Sequence, residues 1–396
     1  MNTPAPAAAR RAPLGAVLAL GFRPFFLLGT GYAVVMMTLW LGIHLGLLPP
    51  PARGSALIWH VHELVFGVMG AVVAGFLLTA VRNWTQLPTP AGLPLAGLAL
   101  LWLAGRGAAW LDPVWGLLCA LADTVFLLAL AIVIAIPIVR TAQRHNYQFI
   151  AMLTALALSN LVIALDTYGV LAEAARPATF VALYVLVWLL VAMGGRVIPF
   201  FTERRIDGFI ARRRPWLDHA ATLSVVVAGL TMTWPEAAAL TGSLLFAAAA
   251  LNAGRWLGWY TPKIWRVPLL WVLHTGYLWL VLGLALHGLA QFLPALASTA
   301  LHALSIGGII ALALGMMARV SLGHTGRALE VGPAMIVAFA LIHLSAVVRT
   351  LLPLLLPGDA PVWIVVAGLA WILAFGIFLA IYFPLLVAPR ADGQPG

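Results

Sequence analysis

The chain has 396 residues, of which 63% are hydrophobic and only 9% are charged, and its mean hydropathy is +1.03. Soluble domains carry roughly 25% charged residues, so this composition excludes a soluble globular enzyme and indicates an integral membrane protein. The formal net charge of +10 is explained by membrane topology and contact with anionic headgroups, and we expect no nucleic-acid partner.

Residues 1–20 include a stretch rich in Ala and Pro and are predicted to form a disordered cytoplasmic tail. Residues 21–388 are predicted to form a single transmembrane helical domain, and residues 389–396 a second cytoplasmic tail. Within the domain, apolar runs of about 20 residues recur, and each is long enough to cross ~30 Å of hydrocarbon as a helix. We therefore predict an all-α polytopic membrane protein with about 12 transmembrane helices.

The predicted spans, in chain order, are Phe25–Leu45, Trp59–Ala80, Leu93–Trp110, Val114–Val139, Phe149–Leu165, Thr179–Phe200, Ala220–Thr233, Ala237–Trp256, Leu269–Phe292, Ser298–Val320, Pro333–Leu352 and Val362–Leu385. The seventh span is short, because Trp234 and Pro235 leave almost no loop before the eighth.

The basic residues are distributed unevenly between the two ends of these spans. If the N-terminus is cytoplasmic, 18 of the 22 Lys and Arg residues lie on the cytoplasmic side. The four that lie on the other side are Arg53, Arg106, Arg176 and Arg349. This is the asymmetry of the positive-inside rule, and it predicts that both termini are cytoplasmic.

Spans 2 and 10 resemble each other. The aligned pairs are His62 with His302, Gly67 with Gly307, and Gly75 with Gly315. Similar helices that recur four spans apart predict three four-helix units around a centre. The alternative is that small residues recur simply because they let membrane helices approach one another.

Span 2 opens with Trp59-His60-Val61-His62-Glu63, so two imidazoles and a carboxylate enter the membrane within four positions. Ionisable groups at that depth are costly and usually functional, and these are the donor types of a metal or haem site. At 3.6 residues per turn, His60 and Glu63 share a face, whereas His62 points about 200° away from His60. The spacing therefore favours two neighbouring centres over a single chelate.

The first predicted centre is a b-type haem held between His62 and His302. Bis-imidazole ligation across facing helices requires one histidine from each helix at matching height, and these two residues satisfy that condition. His274 lies about one and a half turns into span 9 from the cytoplasmic side and is a candidate ligand for a second haem. The alternative for any single membrane histidine is a hydrogen bond between helices.

The second predicted centre is copper bound by His60, with Glu63 and a third ligand such as His343 or His287. The single cysteine, Cys119, lies inside the fourth span, so no thiolate cluster is available to a metal. The donors must therefore come from His, Glu, Met or Tyr.

Buried carboxylates support a competing functional class. Glu63, Asp123 and Asp166 lie in spans 2, 4 and 5, and intramembrane acids of this kind form proton or substrate paths in secondary carriers. The alternative function is therefore a proton-coupled transporter. A Soret absorption band would favour the haem protein, whereas a colourless protein with proton-linked uptake would favour the carrier.

Several blocks of the sequence resemble the NnrS family. They are GFRPFF at 21–26, WHVHE at 59–63, AGFLLTAV at 74–81, NWT at 83–85, GRVIPFFT at 195–202 and RVSLGHTGR at 319–327. This resemblance extends over nearly the whole chain. It implies a bacterial inner-membrane protein with twelve spans that contains haem and copper and takes part in the response to nitric oxide and nitrosative stress. Besides the lipid bilayer, it implies nitric oxide or an electron donor as partners, acting through redox chemistry or sensing.

Overall fold

The computed structural model describes residues 13–394, and for residues 13 and 14 it describes the backbone alone. Within these residues the chain forms twelve long helices and no strand. In chain order, the helices are α1 Phe22–His44, α2 Ala56–Thr85, α3 Leu93–Gly105, α4 Pro113–Arg140, α5 Tyr147–Thr167, α6 Ala175–Arg205, α7 Pro215–Thr231, α8 Ala238–Trp259, α9 Pro268–Ala290, α10 Pro294–His324, α11 Pro333–Leu355 and α12 Ala360–Val387. Each predicted span coincides with one of these helices.

Ten of the described helices are long and apolar enough to cross a membrane, which confirms the prediction of a polytopic membrane protein. The other two are α3 and α7. Helix α3 has 13 residues, and at 1.5 Å per residue it reaches about 20 Å, which is less than the ~30 Å of a hydrocarbon core. Helix α7 has 17 residues and carries Asp218 in its first turn.

Proline and capping side chains mark where many of the helices begin. Helices α3, α4, α7, α9 and α11 have proline in the first turn, where no intrahelical N–H is lost. Before α2, the hydroxyl of Ser55 accepts a hydrogen bond from the backbone N–H of Leu57 at 3.2 Å. Before α4, the carboxylate of Asp112 accepts one from the N–H of Val114 at 3.1 Å. These two helix starts are part of the functional site's framework, because α2 and α4 carry its two buried carboxylates.

Helices α2, α6 and α10 form the centre of the bundle, where each contacts the other two. The remaining helices pack around them in chain order, and α12 packs against α1 and closes the ring. The central helices are accordingly the most enclosed, since 83% of the most apolar 18-residue stretch of α2 is buried, 67% of that of α6 and 78% of that of α10. This arrangement matches the predicted three four-helix units around a centre.

Two of the central helices share an interruption. Immediately after His62, α2 becomes π-helical over Glu63–Val68, and immediately after His302, α10 does so over Ala303–Ile310. A π-helical turn contains an extra residue, so it rotates the side chains before it relative to those after it, and such segments are frequent at functional sites. Helix α6 is α-helical throughout. The shared position supports the predicted repeat between spans 2 and 10.

The predicted N-terminal tail is shorter than 20 residues. Pro13–Val17 form a short helix that packs against α12, and Ala16 and Leu20 are buried. Apolar burial therefore orders this part of the chain. The remainder of the predicted tail, residues 1–12, lies outside the described residues.

The bundle has two chemically different ends. The C-terminal ends of α2, α6 and α10 lie together, where Arg82, Arg205 and Arg319 are found. We name this the basic end. The N-terminal ends of α2 and α10, with His60 and His302, lie at the other end, which we name the opposite end.

The Gly283→Ala variant is expected to be destabilised, because at Gly283 helix α9 packs directly on the backbone of α10. A Cβ at this position would lie 2.7 Å from both the Cα and the N of Leu304, inside the π-helical segment. Backbone atoms cannot rotate away as a side chain can, so we expect a loss of about 1–3 kcal/mol, measured as a lower melting temperature in detergent.

Gly376→Ala is the matched control, since a Cβ at that helical position would meet no atom within 4 Å. Alanine is favoured over glycine in a helix, so this variant should be neutral or more stable. Equal destabilisation of both variants would contradict the role of the α9–α10 contact.

Candidate functional site

Polar side chains from α1, α2, α4, α5 and the α3–α4 connection converge on the start of the π-helical segment of α2. We name this cluster the buried charge network. Its members are Tyr32, His62, Glu63, Arg106, Asp123 and Asn160. A charged group in hydrocarbon is costly unless it is paired, so the stability of the cluster depends on its ion pairs.

Arg106 is the centre of this network. Its guanidinium forms an ion pair with Glu63 through Nη1 and another with Asp123 through Nη2, where the N–O distance is 2.5 Å. The side chains of Arg106, Glu63 and Asp123 are 7%, 3% and 1% exposed. One buried cation therefore holds two buried carboxylates, and the network carries one more acid than base while His62 is neutral.

Two glycines, Gly67 and Gly105, leave the space that Arg106 needs in the network. A Cβ on Gly67 would lie 2.6 Å from Nη1 of Arg106, and a Cβ on Gly105 would lie 2.6 Å from the Cβ of Asp123. The absence of both side chains lets the end of α3 approach α2 and α4 closely. The indole N–H of Trp102 also donates to the carbonyl of Gly67 at 3.0 Å, which ties α3 to the π-helical segment.

His62 lies on the α4–α5 side of α2, and both of its ring nitrogens are engaged. Nδ1 lies 3.0 Å from Oε1 of Glu63, and Nε2 lies 3.0 Å from the amide nitrogen of Asn160. The Asn160 amide is a donor, since its oxygen accepts from the Thr124 hydroxyl at 2.6 Å, so Nε2 of His62 accepts and Nδ1–H donates to Glu63. Tyr32 donates a further hydrogen bond to Oε2 of Glu63 at 2.6 Å.

A cleft leads from the opposite end of the bundle to this network. His62 and Glu63 lie among its lining residues. Polar residues at its rim include Arg53, Ser55 and Tyr168. A small polar solute that enters the cleft would therefore meet the imidazole and the carboxylate of the network.

His60 lies apart from the buried charge network, among residues of α1, α10 and α11. Its ring stacks on Trp40 with 4.1 Å between the ring centroids, and it lies within range of electrostatic interaction with His302 and Arg349. The residue is 6% exposed, and its buried Nδ1 has no hydrogen-bond partner. We name His60 and His302 the histidine pair.

The orientation of His302 leaves one ring nitrogen free. Its Nδ1 lies 2.6 Å from the backbone carbonyl oxygen of Ser298, one turn earlier in α10. A carbonyl only accepts, so Nδ1 carries the proton and Nε2 carries the lone pair. Histidines that bind metals are commonly held by such a bond from the second nitrogen.

The structure does not bring His62 and His302 together, although spans 2 and 10 do meet. His62 bonds to Glu63 and Asn160, whereas His60 is the histidine of α2 that lies near His302. Glu63 pairs with Arg106 and His62.

The other predicted ligands lie apart from one another. Nε2 of His343 lies 2.9 Å from the Thr275 hydroxyl, Nε2 of His274 lies 3.0 Å from the Thr202 hydroxyl, and Nδ1 of His287 lies 2.8 Å from the Tyr184 hydroxyl. In the described part of the chain, no hydrogen bond or ion pair joins His343 to His60 or Glu63. Across residues 13–394, no group of three or more His, Cys, Asp or Glu side chains is arranged to hold a metal ion.

Two arginines, Arg106 and Arg349, were missed as site residues, because the charge pattern counted them only as basic residues on the outer side. Arg106 holds the buried carboxylates, and Arg349 lies beside the histidine pair. The signal that could have identified Arg106 is the shortness of the apolar run before it. Asp166, in contrast, accepts a hydrogen bond from the backbone N–H of Ala174 at 3.0 Å and lies outside the network.

The sequence profile described as NnrS protein matches residues 16–390. The chain belongs to the NnrS family. The match includes all twelve helices, and therefore both the histidine pair and the buried charge network of this NnrS protein. No curated protein sequence matches the chain.

Proposed function

We propose that this NnrS-family protein is a haem-binding protein of the bacterial inner membrane that acts in the nitric oxide response. The axial ligands in this proposal are His60 and His302, and both termini lie on the cytoplasmic side, at the basic end. Family membership supports the nitric oxide response, and the histidine pair supports the haem.

The histidine pair fits a haem by the chemistry of its donors. The two imidazoles come from different central helices, His302 presents a free Nε2, and His60 has an unpartnered buried Nδ1. An unpaired buried polar nitrogen costs free energy, and coordination of a metal would remove that cost. His60 takes the place of the predicted His62, because His62 has no free ring nitrogen.

The ligand set indicates the class of chemistry. His60 and His302 would hold the haem, and a haem held by two imidazoles would supply electron transfer. The protein residues supply position and charge. Arg349 lies near both histidines, where its guanidinium can pair with a haem propionate. The buried charge network fixes α2 in place one turn away from His60.

The copper site remains a prediction, and we assign no set of residues to it. The predicted ligands His60, Glu63 and His343 do not share a site, and His60 is used by the proposed haem. His274 likewise remains a candidate for a second haem, with a buried and unpartnered Nδ1.

The absorption spectrum of the protein purified in detergent, together with metal analysis, tests the proposal. We expect a Soret band that shifts on reduction with dithionite and iron that co-purifies with the protein. A colourless protein that stays colourless after expression with added haem precursor would contradict the haem assignment.

The second candidate is a proton-coupled transporter, which the cleft and the buried charge network support. The cleft reaches Glu63, and Glu63 and Asp123 share Arg106, as expected of a charge-compensated path. Asp166 does not belong to this path. Proton-linked uptake by the colourless protein in liposomes would favour this candidate over the haem protein.

A further inference from the structure

Arg319 at the basic end of α10 is a buried cation without an anionic partner. The residue is 9% exposed, and its guanidinium lies over the ring of Phe201 of α6 at 3.7 Å from the centroid. In the part of the chain that the structure describes, no carboxylate forms an ion pair with this guanidinium and no oxygen accepts a hydrogen bond from it. An arginine presents five N–H donors, so this arrangement leaves them available to a ligand.

The equivalent arginine of α6, Arg196, has hydrogen-bond acceptors for its guanidinium. Arg196 and Arg319 occupy similar positions in the GRV and ARV segments of two central helices. Arg196 donates to the side-chain oxygen of Asn146 at 2.8 Å and to the backbone carbonyl of His145 at 3.2 Å. The protein therefore supplies acceptors to one arginine and leaves the other without them.

A second arginine faces the same space. Phe201 and Arg205 are four residues apart on α6, so they share a face, and Arg205 interacts electrostatically with Arg319. Two like charges repel each other, and the cost is largest where one of them is buried. The acid nearest to Arg205 is Glu330 at 3.5 Å, whose side chain is 76% exposed and solvated.

Apolar side chains surround Arg319 on one side. One turn earlier, Met316 of α10 and Val197 and Ile198 of α6 line an apolar cavity between the central helices. An acceptor for the N–H groups of Arg319 would therefore approach from the side of Arg205. That side lies at the level of the lipid headgroups.

We propose that Arg319 and Arg205 bind a phosphate-type oxyanion at the basic end of α6 and α10. A guanidinium matches the geometry of a phosphate with two parallel hydrogen bonds, and Phe201 holds the plane of Arg319 in place. The phosphate has two possible sources, an anionic lipid headgroup and free inorganic phosphate. The site lies at the other end of the bundle from the histidine pair and does not depend on the proposed haem.

The test compares the full-length wild-type chain with Arg319→Gln and Arg204→Gln in detergent. Arg204 is the matched control, because its guanidinium also lies over a phenylalanine, Phe200 at 5.3 Å, but it is exposed and Phe200 is 43% exposed. Native mass spectrometry after incubation with phosphatidylglycerol measures lipid occupancy. Melting temperatures of delipidated protein with and without inorganic phosphate measure the free anion.

We expect Arg319→Gln to weaken anion binding about tenfold, which corresponds to about 1.4 kcal/mol, while Arg204→Gln binds as the wild type does. Retained phosphatidylglycerol identifies the lipid as the source, and a melting-temperature increase with phosphate alone identifies the free anion. Without any anion, Arg319→Gln should melt no lower than the wild type, because it removes an unpaired buried charge. Equal binding by wild type and Arg319→Gln, or equal loss in both variants, would overturn the proposal.

Discussion

Haem should be lost from the purified His60→Ala and His302→Ala variants and retained by His62→Ala. His60 and His302 are the two imidazoles that lie near each other with a nitrogen available, whereas both nitrogens of His62 are bonded within the buried charge network. Removal of one axial ligand should reduce the haem content at least about tenfold, since even the loss of a group that only orients a ligand costs 10–100-fold in metal affinity. The Soret absorbance per protein, with iron analysis, is the measurement.

His287→Ala is the matched control for this series, because His287 is also a buried histidine within a transmembrane helix but bonds to Tyr184. It should retain full haem. Size-exclusion profiles establish that each variant is folded. Loss of haem in His62→Ala together with full haem in His60→Ala would return the ligand assignment to His62.

Arg106→Gln is expected to be among the most destabilising single substitutions in the chain. It leaves Glu63 and Asp123 as two buried carboxylates without a cation, and the loss of one partner from a buried ion pair costs about 3–5 kcal/mol. The melting temperature in detergent should fall sharply, or the variant should fail to accumulate in the membrane. Arg53→Gln at the exposed rim of the cleft is the control, and its effect should stay within about 0.5 kcal/mol.

A compensated variant separates charge balance from simple loss of packing. Substitution of Glu63 by Gln and Asp123 by Asn in the Arg106→Gln background removes the two remaining charges and keeps the sizes of these two side chains. We expect this triple variant to recover most of the lost stability, because no unpaired charge remains. If it is as unstable as Arg106→Gln alone, the network does not depend on charge pairing.

The two candidate sites are mechanically linked through α2. His60 and Glu63 lie one turn apart, and Glu63 opens the π-helical segment that Arg106 and Trp102 tie to α3. The network can therefore hold the turn that presents His60 to His302. Under the haem proposal its role is positioning, and under the transporter alternative the same residues are the conducting groups. Retained haem in the triple variant would support the positioning role, since that role needs the contacts. Loss of proton-linked uptake in the triple variant would support the conducting role, since that role needs the charges.

Composition and hydrophobic runs were sufficient for the architecture. Each of the twelve predicted spans coincides with a helix, because a chain in lipid must satisfy its backbone hydrogen bonds within each segment. The likeness of spans 2 and 10 predicted four-helix units around a centre, and the structure adds a π-helical interruption after His62 and His302. The short α3 was not anticipated, since span 3 was predicted to continue through Arg106.

A polytopic helical membrane protein of the NnrS type, with histidines at the start of span 2, follows from the amino-acid sequence alone. Which histidine faces which helix depends on the packing of the helices. A π-helical turn changes the direction of side chains by an amount that residue spacing does not reveal, so His60 and not His62 lies near His302. The partners of Glu63 and Asp123 were likewise decided by packing, because Arg106 reaches them only where Gly67 and Gly105 let three helices approach.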